Sequence, residues 1–200
     1  MKETLIDFIR HGEPEGGRRY RGNAVDDVLT EKGWQQMWRS VGDFADWDAV
    51  VTSPMQRCSA FAGALADRIE RSVHVDPRFR EVGMGSWEGL SPQEIIERDP
   101  ESYAAFYRDP VNNRPEGCEP LHDFGKRIAE AFESVLQSYA GQHVLIVTHA
   151  GVIRAALGYV LRSDPQAWYR VRIDNAGATR FRFDEYGCKL DFHNRAECYL

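Results

Sequence analysis

No apolar run in this 200-residue sequence approaches the roughly 18 residues of a membrane-spanning helix, so no membrane partner is expected. The opening stretch, Met1-Lys2-Glu3-Thr4-Leu5-Ile6-Asp7, is interrupted by charge and lacks a signal-peptide apolar core. Cysteine is scarce, and Cys58, Cys118, Cys188 and Cys198 show no Cys-x-x-Cys spacing. They read as reduced thiols of a cytoplasmic protein, not as a disulfide or zinc framework. No His-Glu-x-x-His or clustered ligand spacing supports a metal-dependent hydrolase built on His11, Glu13, His149 and one of the aspartates. An extended basic run is also missing, and 25 Lys and Arg stand against 31 Asp and Glu for a net charge of -6. That balance argues against nucleic acid as a partner. It leaves an anionic small molecule open, because screening over roughly 8 Å confines the relevant field to the site itself.

What is present is an ordinary globular composition, 42% hydrophobic and 28% charged, without repeats, low-complexity tracts or an obvious linker. A single domain over residues 1–200 is expected. Thr4–Arg10, Ala49–Thr52, Val73–Val75 and His143–Thr148 read as strands, the last being the most apolar. Between them lie helical patterns. One is capped by Thr30 and runs to about Phe44, with Trp34, Met37, Trp38 and Val41 at helical spacing. A second is opened by Ser53 as N-cap with Pro54 at the first helical position, and reaches about Arg71. Ser91-Pro92-Gln93-Glu94 is a capping-box signature for a short helix, broken at Asp99-Pro100 before another. Longer helices are expected over residues 121–140 and 151–161. Thr179–Phe183 and Lys189–Phe192 alternate around a turn and suggest a hairpin at the sheet edge. The alternation predicts an α/β fold whose mainly parallel sheet carries helices on both faces, with a C-terminal edge hairpin.

In such sheets ligands bind beyond the carboxyl ends of the strands. His11 and His149 each follow a strand there, the first preceded by Arg10 and the second followed by Gly151 at a helix start. A helix N-terminus offers unpaired N–H groups to a phosphate. Arg57 falls in the first turn of its helix, where the dipole disfavours a cation by about 0.3–1 kcal/mol. An anion shared by the arginine and the helix end relieves that conflict. Glu81, in the apolar, glycine-rich segment Glu81-Val82-Gly83-Met84-Gly85, is a carboxylate suited to donate a proton.

Arg10-His11-Gly12-Glu13, Ser53-Pro54-x-x-Arg57, Glu81 with Gly85-x-Trp87-Glu88-Gly89, and Thr148-His149-Ala150-Gly151 resemble the histidine phosphatase superfamily, in particular its phosphoglycerate-mutase-like branch. The motifs stand in the family's order, and flanking resemblance covers nearly the whole chain. The resemblance implies a phosphoglycerate-mutase-like fold and a phosphatase hydrolysing a small phosphomonoester. His11 becomes phosphohistidine. Arg10, Arg57 and His149 surround the phosphoryl oxygens, Glu81 serves as general acid and base, and neither metal nor cofactor takes part. Arg21 and Asn23, in the loop Arg18-Arg19-Tyr20-Arg21-Gly22-Asn23, are implied substrate contacts.

The sequence departs from the family pattern at Cys118, where many relatives have serine, and at Val28, where proline is usual. Two hundred residues is short for the mutases, and Glu13-Pro14-Glu15-Gly16-Gly17 replaces their Ser-x-x-Asn pattern, so a phosphatase is expected over a phosphoglycerate mutase-type phosphotransferase. A non-catalytic phospho-ligand binder on the same scaffold is the other alternative. Gly16-Gly17-Arg18-Arg19-Tyr20-Arg21-Gly22 is similar to bacterial α-ribazole-phosphate phosphatases, which makes α-ribazole phosphate a candidate substrate beside sugar and nucleotide phosphates. The oligomeric state stays open, a homodimer among the choices.

Overall fold

The computed structural model describes residues 2–197. Its six strands are β1 (Thr4–Arg10), β2 (Ala49–Thr52), β3 (Val73–Val75), β4 (His143–Thr148), β5 (Ala178–Asp184) and β6 (Gly187–Arg195). They form one sheet in the order β3-β2-β4-β1-β5-β6. The pairs β2–β3, β2–β4 and β1–β4 are parallel, whereas β1–β5 and β5–β6 are antiparallel. The expected C-terminal hairpin is therefore real, with β5 docked on the central β1 and β6 at the edge.

Helices α1 (Glu31–Val41), α2 (Gln56–Arg68), α3 (Pro92–Arg98), α4 (Pro100–Arg108), α5 (Leu121–Ser138) and α6 (Ala150–Leu161) complete the frame. Alternate residues of a strand point to opposite faces, and both faces here are apolar. Ile6, Phe8, Val144 and Ile146 pack against α5 and α6, while Ile9, Val50, Leu145 and Val147 pack against α1 and α2. Asp7 breaks the apolar run and is fully buried. Its carboxylate accepts from Trp47 Nε1 at 2.9 Å and Arg180 Nε at 2.7 Å, and lies 2.6 Å from His143 Nε2. Burial pushes the Asp7 carboxyl up, but hydrogen bonds from His143 and Arg180, with their charges, bring it down to about 2.

Side-chain caps explain three of the six helix starts. Thr30 accepts from Gly33 N–H at 2.9 Å, Ser91 and Glu94 form the full capping box, and Asp99 caps α4 through Ser102 N–H. The start of α2 departs from expectation. Met55, extended at φ -66 and ψ 135, is its N-cap and makes no side-chain cap bond, so Ser53 and Pro54 lie outside the helix. Ser53 Oγ bridges instead, accepting from Met55 N–H at 3.3 Å and lying 2.7 Å from His149 Nε2. The helix also stops at Arg68, three residues early, because Glu70 turns left-handed at φ 54. α1 and α5 end at Val41 and Ser138, short of Phe44 and Ala140, and α6 begins one residue early at Ala150. Cys58, Cys118 and Cys188 are free thiols, and Cys198 lies outside the described residues. Among the described residues no helix is long and apolar enough to cross a membrane.

Candidate active site

β1 and β4 run parallel with Arg10 opposite Thr148, so the residues that follow them emerge side by side. His11 N–H donates to Thr148 O at 2.9 Å, and the His11 and His149 rings meet edge-on with centroids 5.3 Å apart. The turn after His11 needs glycine: a Cβ on Gly12 would stand 2.2 Å from Gly33 O in α1.

His11 is almost wholly buried. Burial, reinforced by the charges of Arg10 and Arg57, holds its pKa well below the usual 6.5, so at pH 7 the imidazole is neutral with one ring proton. Nδ1 lies 2.8 Å from Gly12 O, which only accepts. The proton is therefore assigned to Nδ1, and Nε2 keeps a free lone pair.

Arg10 and Arg57 flank this nitrogen's cavity. Arg10 Nη1 donates to Ile173 O at 2.7 Å, and Arg57 donates to Val25 O at 2.8 Å and Gly22 O at 3.1 Å. In both arginines Nε is buried without a hydrogen-bond partner among the described residues. Burial lowers the Arg10 guanidinium to about 10, with Glu81 opposing and Arg154 adding to the shift. It stays charged at neutral pH, and two incompletely satisfied guanidiniums beside a neutral imidazole form an anion site.

Glu81 reaches the same cavity from the loop after β3. Its oxygens accept from Val82 N–H at 2.9 Å and Gly151 N–H at 3.2 Å, which seats the carboxylate on the N-terminus of α6. His149, expected at the phosphoryl oxygens, is fully buried and does not line the cavity; its ring packs edge-on beside His11. Burial first, then Arg57, holds its pKa well below 6.5. Ser53 Oγ accepts Met55 N–H at 3.3 Å and lies 2.7 Å from His149 Nε2, so the hydroxyl ties the ring to the start of α2.

The two remaining expected contacts fare differently. Arg21 borders the cavity, but its guanidinium is committed to Asp27, Glu15 O and Gly17 O, so it staples its own loop. Asn23 is not a lining residue; its backbone N–H donates to Glu88 at 3.2 Å. Sequence reasoning missed Ser53 as the partner of His149, and Arg154, Tyr107 and Tyr169 as cavity walls. Only Arg154 carried a local signal, lying three residues beyond Gly151 and so on the same helix face. Among the described residues no group of three or more His, Cys, Asp or Glu is disposed to hold a metal ion.

Residues 6–196 match the family model described as histidine phosphatase superfamily (branch 1). The chain belongs to the histidine phosphatase superfamily. Within it, the chain is 32% identical to "Bifunctional protein Rv2228c" of Mycobacterium tuberculosis over 90% of its own length and 50% of that protein's. It thus spans about half the length of that relative. It is 30% identical to "Adenosylcobalamin/alpha-ribazole phosphatase" of Salmonella typhimurium, with 84% of each chain covered. A solved mycobacterial glucosyl-3-phosphoglycerate phosphatase, 26% identical, superposes with a TM-score of 0.84 over 95% of this chain and 98% of its own. That solved structure shares the α/β fold described above.

Proposed function

We propose that this chain is a phosphatase that hydrolyses a small phosphomonoester through a phosphohistidine at His11. The observation that carries the reading is the neutral His11 ring, its proton held by Gly12 O and its Nε2 free, in a cavity shared with Arg10, Arg57 and Glu81. Phosphoryl transfer requires chiefly positioning and fixed positive charge around the equatorial oxygens. A guanidinium at ~4 Å contributes about 4 kcal/mol at an effective dielectric of 20, before desolvation.

In the first step His11 Nε2 attacks phosphorus, the ester P–O bond breaks, and Glu81 gives a proton to the departing alcohol. In the second, water attacks phosphorus while Glu81 takes its proton, the P–N bond breaks, and inorganic phosphate leaves. Arg10 and Arg57 hold the oxygens, and His149 packs beside His11. No step in this scheme calls on a metal. The similarity to the Salmonella and mycobacterial relatives, both phosphatases, favours hydrolysis over transfer to a second substrate. Together with the Gly16–Gly22 stretch, the similarity to the Salmonella phosphatase makes α-ribazole phosphate a candidate beside sugar and nucleotide phosphates.

His11→Ala tests the assignment. It should abolish turnover of p-nitrophenyl phosphate while the circular dichroism spectrum and thermal midpoint stay close to wild type. Turnover near wild type would overturn the scheme.

A further inference from the structure

Five arginines line the cavity, Arg10, Arg19, Arg21, Arg57 and Arg154, against the single carboxylate of Glu81. Arg10 and Arg57 attend the phosphoryl site, Arg21 is committed to its loop, and Arg19 is turned onto Gly16 O. Arg154 remains. It lies one helical turn beyond Gly151, whose N–H holds Glu81, and lines the same cavity as that carboxylate. Its Nε donates to Val171 O at 3.0 Å and its guanidinium lies over the Tyr169 ring, 5.3 Å from the centroid. Neither terminal amino group has a hydrogen-bond partner among the described residues. The fork is therefore fixed in place and left with two free donors, the geometry that meets a carboxylate or phosphate in bidentate fashion.

Resting on the phosphatase reading above, we propose that Arg154, backed by Tyr169, reads a second anionic group on the leaving alcohol, so that the substrate is a compact phosphomonoester bearing a carboxylate or a further phosphate. Three observations converge on this. Arg10 and Arg154 line one cavity, two like charges that an anion between them can engage together. The cavity holds about 180 Å³, below the roughly 300–1,000 Å³ of pockets for drug-sized ligands. A larger basin of about 620 Å³ shares Arg10, Arg19 and Arg21 but is not lined by Glu81, so it does not receive the group that Glu81 protonates. A bulky neutral nucleoside leaves Arg154 unmet.

3-Phosphoglycerate and glycerol 3-phosphate make the test, because they differ chiefly by a carboxylate in place of a hydroxymethyl group. The wild-type kcat/KM should favour 3-phosphoglycerate by tenfold or more, and Arg154→Gln should bring the ratio near one, with Arg154→Lys recovering part of it. A wild-type ratio near one, or equal losses on both substrates in Arg154→Gln, would overturn the proposal. Calorimetric binding of both compounds to the His11→Ala protein reads the same preference without turnover. A protein inert towards every phosphomonoester that still prefers the carboxylate in binding defeats the phosphatase reading but not the assignment of Arg154.

Discussion

Gly151 and Glu81 occupy each other's space. The glycine N–H meets one carboxylate oxygen at 3.2 Å, and a Cβ at this position would stand 2.2 Å from the other. The carboxylate thus rests where any side chain on residue 151 would lie, and glycine at the start of α6 fixes the proton donor. Gly151→Ala should displace it. Misplacement by about 1 Å costs up to about 100-fold in rate, whereas alanine in a helix raises local stability by up to about 1 kcal/mol. Slower turnover of alkyl phosphates with an unchanged or higher melting temperature is expected; wild-type rates would show that the carboxylate position does not matter.

Glu81→Gln separates proton donation from binding. General acid catalysis contributes about 10²–10⁴-fold, so loss of that order is expected on alkyl phosphates. p-Nitrophenyl phosphate, whose phenolate departs with little protonation, should lose far less. Equal losses on both would remove Glu81 from the acid role.

The His11 ring should stay neutral well into mild acid. Its pKa is depressed by burial and by Arg10 and Arg57, so the unfolded chain takes up a proton near ~6.5 that the native site refuses. Stability from this group is full above that pH and declines as pH falls below it. Nitrogen NMR of the ring at pH 6 should show Nδ1 protonated and Nε2 bare. A titration centred near 6.5 would contradict the assignment, and reading the ring directly avoids the substrate's own phosphate titration.

Asp7 governs acid stability at a distance from the chemistry. Its folded pKa of about 2 lies below the ordinary value of 3.8, so its contribution is present above about pH 4 and lost as pH falls towards 2. The shift corresponds to about 2 kcal/mol. Asp7→Ala, which deprives Arg180 and His143 of this carboxylate, should cost about 3–5 kcal/mol at pH 7 in urea titrations and flatten the loss between pH 4 and pH 2. An unchanged denaturation midpoint would show that the pair is energetically idle.

Features written in local chemistry were legible before any coordinates. β1 and β4 match their apolar runs residue for residue, the Ser91–Glu94 box forms as spelled, and the turn at Asp184–Gly187 joins the edge hairpin. The juxtaposition of His11 and His149 followed from two strand ends on one sheet edge. Ser53 misled because the helix starts two residues later, with Met55 as N-cap, while its hydroxyl bridges Met55 N–H and the distant His149. Arg21 reaches the cavity as a lining residue, while nearby carbonyls and Asp27 engage its guanidinium locally, a pairing its spacing did not show. Tyr107 and Tyr169 reach the cavity from α4 and the segment after α6, a convergence created by packing and invisible to spacing.

The central claim is a covalent one and has a direct measurement. Brief reaction with a ³²P-labelled phosphomonoester, followed by denaturation and peptide mapping, should place the label on Nε2 of His11, stable in base and lost in acid. Absence of labelled His11 from both the wild type and the slowed Glu81→Gln enzyme, or a label on another residue, would contradict the account.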